Sequence, residues 1–314
     1  MNIVPFEKEH IPQASALALD AYNAERQQGN ALPPVSAIPG LEPFAGNGLS
    51  FAALKNGRLI GFLCSYSPFP NAFRSTKVTG IFSPMGGHAA IEHNRERIYA
   101  ALYQAAAETW VRAGAVSHAI CLYAHDSAAQ QLFFRYGFGM RCVDAIREMT
   151  PIPVTPCPRY AFAELPPEDW AQVYPLDLSL NQHYLQSPFF MRRQPDTLEG
   201  FLASSAEAQA RYFVARQKGV ICAYVKITGE GETFIAGGAG YRHIHGAYCL
   251  PEHRGHGLYA HLLNFAMAAL KKDGHTRLGV DYESINPTAW GFWGKHFAAY
   301  THSVVRRIDE NILL

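Results

Sequence analysis

Tyr248-Cys249-Leu250-Pro251-Glu252-His253-Arg254-Gly255-His256-Gly257-Leu258-Tyr259 holds a strand end, a glycine-bearing loop and a helix start in twelve residues. Pro251 has no N–H to give to a ladder, so the strand stops there. Gly255 and Gly257 let the backbone approach a guest with no Cβ in the way. The helix opening at Leu258 adds unpaired N–H groups and the positive end of its dipole. Together these aim several donors at one point, which is an anion site, and Arg254 adds a charge-assisted bond. A pyrophosphate suits it. The spacing is neither GxxxxGK[ST] nor GxGxxG, and the preceding strands read as antiparallel, so nucleotide-binding P-loops and dinucleotide folds are set aside.

Working outward, the chain reads as two similar halves. In the first, a strand from Asn2 to Phe6 precedes an amphipathic helix carrying Ala14, Leu17, Ala18 and Ala21 on one face. Asn56-Gly57 marks a hairpin between 51–54 and 59–65. A strand at 77–82, a helix at 97–113 closed by Gly114, a strand at 118–123 and a short helix ending at Gly137 follow. Pro151, Pro153, Pro156 and Pro158 then rule out helix and central strand, which makes 151–158 a linker. After it the order recurs, with strands at 160–164, 212–216, 220–227, 243–250 and 278–284 and helices at 168–180, from Leu258 and after Ser284.

Counting supports the repetition. Asp126, Ala129, Leu132 and Phe133 return 160 positions later as Asn286, Ala289, Phe292 and Trp293, and Tyr99, Leu102, Gly114 and Ile120 return as Tyr259, Leu262, Gly274 and Val280. A gapless register of that length points to a duplication, giving domains at 1–150 and 159–314. At the same offset Asn94-Arg95-Glu96-Arg97 stands where Arg254-Gly255-His256-Gly257 stands. The first copy has lost both glycines, so it is expected to be silent toward the anion. Counted from Pro84 and from Pro251, the first copy also carries seven extra residues before Asp126.

Composition narrows the function. A net charge of +1 excludes bulk nucleic-acid and anionic-membrane binding, which need clustered positive charge. The six cysteines are dispersed with no CxxC pair, which suggests neither a zinc site nor a disulfide framework. Residues 1–10 lack an apolar core of a signal peptide, and no apolar run approaches the roughly 18 residues needed to span a bilayer. A cytoplasmic protein is expected.

The loop and the Asn-x-x-Ala-x-x-aromatic-aromatic run from Asn286 to Trp293 resemble the two signature motifs of the GNAT acetyltransferases, whose cofactor loop reads Gln/Arg-x-x-Gly-x-Gly/Ala. Arg254 and Gly257 match; Tyr259 stands where Gly or Ala is usual, and its bulk is expected to narrow the phosphate side of the groove. The resemblance implies an α/β (α+β) fold of two tandem GNAT-like domains, each with a mixed, mostly antiparallel central sheet flanked by helices. It also implies acetyl-CoA, held by Cys249, Leu250, Arg254, Gly255, His256, Gly257, Leu258, Tyr259, Asn286 and Trp293. The reaction it implies is direct attack by a primary amine of a small molecule or peptide, in which proximity supplies much of the rate. A strand N–H in 247–250 would polarise the thioester carbonyl.

A base must take one proton, and Glu283 at its strand end leads Asp281 and His245. The family's usual tyrosine acid is replaced by Trp293, leaving Tyr248, Tyr259 or Tyr282 as substitutes. Cys249 reads as a small hydrophobe rather than a nucleophile. The acceptor pocket is expected within 174–193, where Tyr184, Phe189 and Phe190 supply an apolar wall. A non-catalytic acyl-CoA-binding or interaction protein is the alternative, and homodimerisation is left open.

Overall fold

The computed structural model describes residues 1–29, 31–74, 77–156 and 159–313. The chain divides into two compact units, Met1–Asp144 with Ala299–Leu314, and Ala145–Ala298.

The first unit begins with β1 (Asn2–Pro5), α1 (Ile11–Arg26), β2 (Phe51–Lys55), β3 (Arg58–Leu63), β4 (Gly80–Ser83) and β5 (His88–Ala90). It continues with α2 (Arg95–Arg112), β6 (Ser117–Tyr123), α3 (Ser127–Arg135) and the start of β7 (Gly139–Glu148). Asn56 and Gly57, both at positive φ (52° and 77°), make the two-residue turn that joins β2 to β3. Helix α2 buries Ile98, Leu102, Tyr103, Ala106 and Trp110 at three- and four-residue spacing, and Gly114 at φ 83° ends it. Strands β1, β2, β3 and β5 form one antiparallel ladder, and β4 pairs parallel with β6.

The second unit follows the same plan. Its elements are β8 (Ala161–Leu165), α4 (Tyr174–Leu185), α5 (Leu198–Glu207), β9 (Arg211–Gln217) and β10 (Val220–Thr228). Then come β11 (Tyr241–Cys249), α6 (Leu258–Lys272), β12 (Arg277–Glu283) and α7 (Pro287–His296). Strands β8 to β11 pair antiparallel in sequence order, and β11 pairs parallel with β12. Helix α4 is tied to the sheet where the Tyr224 hydroxyl of β10 donates to Asp177 Oδ1 at 2.9 Å. The mixed, mostly antiparallel sheets flanked by helices are those expected from the sequence, and the 160-residue offset carries Ser117–Tyr123 onto Arg277–Glu283.

Three findings depart from the sequence reading. The β5, β7 and α5 segments and the final strand, β13 (Ala298–Arg307), were not foreseen. Strand β13 pairs antiparallel with β6 over Thr301–Arg307 and places Val304 in the first unit's core, so it is counted with that unit rather than with residues 159–298. The supposed seven-residue insertion is absent: Pro84 lies before β5 whereas Pro251 lies after β11. Residues 95–97 are instead wound into the first turn of α2, where 255–257 form a loop. Of the linker read from the sequence, Cys157 and Pro158 lie outside the described residues. The rest is pinned to α6: Ile152 exchanges two bonds with the Asn264 side chain (2.7 and 2.8 Å), and the Thr155 carbonyl meets His261 Nε2 at 2.7 Å.

Buried Asp144 anchors β13, its N–H donating to Thr301 Oγ1 at 3.2 Å while the Thr301 hydroxyl donates to its carboxylate. Thr301→Val keeps the shape but removes that donor from a buried carboxylate, which is expected to cost about 1–3 kcal/mol of stability. Urea denaturation checks it, and a change under about 0.5 kcal/mol, the range of neutral surface substitutions, would contradict the anchoring role.

Candidate active site

The site begins where two strands part. Strands β11 and β12 are paired only from Tyr241↔Arg277 to Ile244↔Val280. On its other edge β11 stays paired to β10, but the register slips because Lys226 faces Gly246 and Ile227 faces Ile244. His245 is the extra residue, and such a bulge bends and twists the strand that carries it. From there β11 runs away from β12 toward the loop at Leu250.

A cleft of about 750 Å³ occupies this fork. One wall is His245–Cys249 of β11, and the other is Val280–Glu283 of β12 with Asn286 and Ala289. Its far end is closed by His253–Ala260, the glycine loop and the start of α6. Gly255 and Gly257 sit at φ 79° and 74°, a region that costs other L-residues about 1–2 kcal/mol, so the loop needs glycine at both positions. Arg254 is held by its own strand: Nε donates to the Cys249 carbonyl at 2.8 Å, and the guanidinium lies 5.3 Å from the centre of the Tyr248 ring. Leu258 is buried under the loop and His256 is exposed on it.

Several expected residues take roles that the sequence did not disclose. Tyr259 turns inward; its hydroxyl donates to the Tyr224 carbonyl at 2.9 Å and its ring packs edge-on against Phe292 and Trp293. Its hydroxyl is thereby occupied, and burial, with Cys249 nearby, lifts it well above the ordinary tyrosine value, so it is no proton donor. Tyr282 is buried against Trp290. Of the three hydroxyls considered as acids, Tyr248 alone combines partial exposure with a place beside Arg254. Trp293 is buried in an aromatic cluster with Phe292 and Phe297. Asn286 caps α7, its Oδ1 accepting from the Ala289 N–H (3.1 Å) and the Thr288 hydroxyl (2.7 Å). Burial, with Cys222 nearby, pushes the Cys249 thiol up to about 12, which keeps it protonated and unreactive.

At the opposite end stand the carboxylates of β12. Glu283 is buried and accepts a bond from Arg193 at 3.3 Å, and that guanidinium lies 4.1 Å over the Tyr184 ring. Tyr184 and His183 line this end, Phe189 is buried behind them, and Phe190 is exposed away from it. The sequence reading missed Arg193 and the pinned segment 152–155, both of which line the cleft. The only signal for Arg193 was its place at the edge of the expected acceptor region.

The corresponding place in the first unit is filled by its own side chains. His88 of β5 reaches the Cys121 carbonyl of β6 at 2.9 Å and the Tyr99 hydroxyl at 3.0 Å. Arg95, at the position of Gly255, bonds both oxygens of Asp126 (3.1 and 2.9 Å) and the Ala90 carbonyl (2.5 Å). These partners correspond to Asn286 and Leu250, so the guanidinium spans what is the mouth of the cleft in the second unit. A neighbouring hollow of about 620 Å³ is lined by Arg95 and Arg135, the latter paired with Glu96.

Comparison with known proteins agrees with this geometry. Residues 173–298 match the acetyltransferase (GNAT) family. The second unit belongs to the GNAT acetyltransferase family. Family membership supports acyl transfer by this unit. No curated protein matches the chain in sequence. Among solved structures, a GCN5-related N-acetyltransferase from Sphaerobacter thermophilus is similar over 98% of this chain and 95% of its own, at 13% identity and a TM-score of 0.59. A GCN5-related glucosamine N-acetyltransferase region of a fungal multi-domain GH3 β-N-acetylglucosaminidase is similar over 97% of this chain and 38% of its own, at 13% identity and a TM-score of 0.51. At such identities the likeness speaks to fold. Among the described residues, no helix is long and apolar enough to cross a membrane.

If the glycine loop is the anion cradle, acetyl-CoA should raise the melting temperature, and Arg254→Ala combined with Gly257→Ala should abolish that rise. A thermal-shift titration checks this, and an unchanged rise would remove the loop from the binding role.

Proposed function

We propose that the GNAT unit transfers the acetyl group of acetyl-CoA to a primary amine of a small molecule or peptide, by direct attack in a ternary complex. The observation that carries this reading is the fork, open between β11 and β12 and closed at its far end by a double-glycine loop at a helix N-terminus. In this reading the pyrophosphate lies against the N–H groups of Gly255–Tyr259, with Arg254 and His256 beside it. The pantetheine arm follows Cys249 and Leu250 past Asn286, and Trp293 supports the floor.

The backbone of β11 beyond Ile244 has no strand partner on its β12 side, so its N–H groups are available to a thioester carbonyl. The amine enters from the Arg193–Tyr184 end. There Glu283, whose carboxylate is engaged by Arg193, receives the ammonium group of the substrate. Tyr248 is the hydroxyl proposed to protonate the leaving thiolate. The first unit is proposed to bind no cofactor, because His88 and Arg95 occupy its counterpart of the fork. A cytoplasmic setting fits these substrates.

The second reading, a non-catalytic acyl-CoA-binding module, draws on Trp293 standing where a hydroxyl donor is usual. Thiol release measured across a panel of amino acids, amino sugars, polyamines and free peptide N-termini separates the two. Turnover with at least one amine is expected, and acetyl-CoA binding without any release would favour the binding module. Calorimetric titration is expected to give one acetyl-CoA per chain; two would contradict the plugged first unit. Glu283→Gln should lower turnover at subsaturating amine about tenfold or more, as loss of a charged hydrogen-bond partner does, with acetyl-CoA affinity intact. Equal loss of both would take Glu283 out of this role.

A further inference from the structure

Tyr241, His243 and Asp281 form a hydrogen-bonded chain leading from the protein interior to the fork. The Tyr241 hydroxyl stands 2.8 Å from His243 Nδ1, and His243 Nε2 stands 2.8 Å from Asp281 Oδ1. His243 is 1% exposed, whereas the Asp281 carboxyl is 31% exposed and lines the cleft. With the Tyr241 hydroxyl donating to Nδ1, the imidazole proton sits on Nε2 and points at the carboxylate.

Space has been left for this chain. A Cβ on Gly279 would stand 1.8 Å from the Tyr241 hydroxyl oxygen and 3.0 Å from His243 Nδ1. A Cβ on Gly231, in a separate segment, would stand 2.9 Å from the same nitrogen. Neither glycine has a left-handed backbone, so each is accounted for by the ring it makes room for. Two segments thus carry glycine where a side chain would displace one imidazole.

Position gives the chain its use. Val280 is the last residue of β12 paired with β11, so Asp281 is the first beyond the fork's apex. An acyl chain lying in the fork with its phosphates at α6 brings its thioester end toward this apex. Burial by itself would raise the Asp281 carboxyl, but the His243 hydrogen bond, with His245 and Arg193 nearby, outweighs it and holds it below the usual carboxylate range. The group is therefore ionised near neutral pH. Glu283 differs, because its carboxylate is engaged by a guanidinium from the acceptor end.

We propose that Asp281 is the catalytic residue that takes the proton of the attacking amine, and that His243 and Tyr241 are positioning residues that aim its carboxylate. The proposal rests on the acyl-transfer reading above and refines it by assigning amine binding to Glu283 and proton removal to Asp281. The amine lone pair forms the C–N bond, the C–S bond breaks with its electron pair on sulfur, and the N–H proton moves to Asp281. Tyr248 protonates the thiolate and regains its proton through solvent from Asp281, so the overall products are an amide and a free thiol.

Asp281→Asn preserves shape and is expected to lower kcat about 100-fold or more, the range for a lost general base, with acetyl-CoA affinity and amine KM unchanged. Formate, a small external carboxylate, should raise the turnover of Asp281→Ala. Tyr241→Phe should lower kcat about fivefold, the worth of one hydrogen bond, again without moving either KM. Turnover of Asp281→Asn within about threefold of the parent, half a logarithmic unit, overturns the proposal. So does a loss in Asp281→Ala that formate leaves unrepaired. Acetyl-CoA binding by the unsubstituted chain with no thiol release toward any amine of the panel would instead sink the acyl-transfer reading, and this proposal with it.

Discussion

The parallel ladder between β11 and β12 stops at Ile244 and Val280, and the rest of the site depends on that stop. Its cause is local. One surplus residue, His245, breaks the register with β10, and the bulge swings the outer half of β11 away from its parallel neighbour. Because β10 keeps its hold on the other edge, the strand stays ordered while its inner edge is left without a strand partner. Buried backbone groups seldom remain unpaired, so such an edge invites either water or a ligand that can accept and donate along it. The fork is therefore both a void and a row of donors and acceptors, which is what an extended amide-bearing chain requires.

The two units show what happens to this geometry when the ligand-facing residues change. Spacing from helix to strand to helix is the same in both, down to the bounds of β6 and β12. Yet replacing the two glycines by Arg95 and Arg97 lets the helix wind back through the segment that is loop in the other copy. With no cradle to fill, the first unit satisfies the same edges internally: His88 takes the carbonyl of Cys121, and Arg95 takes Asp126 and Ala90. Burial lowers the His88 pKa, which keeps the imidazole neutral and suited to that role. A side chain in one copy thus stands where the proposed cofactor stands in the other.

The glycine loop was legible because its signal is a matter of backbone sterics at single residues. Positive φ at Gly255 and Gly257 and the missing N–H of Pro251 act within their own segment, whatever surrounds them. Asn286 was expected as a cofactor contact and not as a helix cap, yet its Oδ1 is spent on Ala289 and Thr288. Tyr259 was misjudged because composition cannot say which way a ring turns; packing against Phe292 and Trp293 drew it inward. The proline segment read as a bare linker, yet Ile152 and Thr155 are bonded to α6 and form part of the cleft wall.

By itself, the sequence determined the duplicated order of elements, the turn at Asn56-Gly57, the glycine loop and the loss of that loop in the first copy. Each of these follows from periodicity or from the conformational range of one or two residues, and neither needs a distant partner. Only the tertiary structure decided where β13 pairs, which carboxylate Arg193 engages and which one His243 supports. Glu283 and Arg193 are 90 residues apart, and His243 and Asp281 are 38 apart. Such pairs exist only once the sheet has brought separate strands into register, because a hydrogen bond between two side chains is set by the distance between their elements rather than by the identity of either residue.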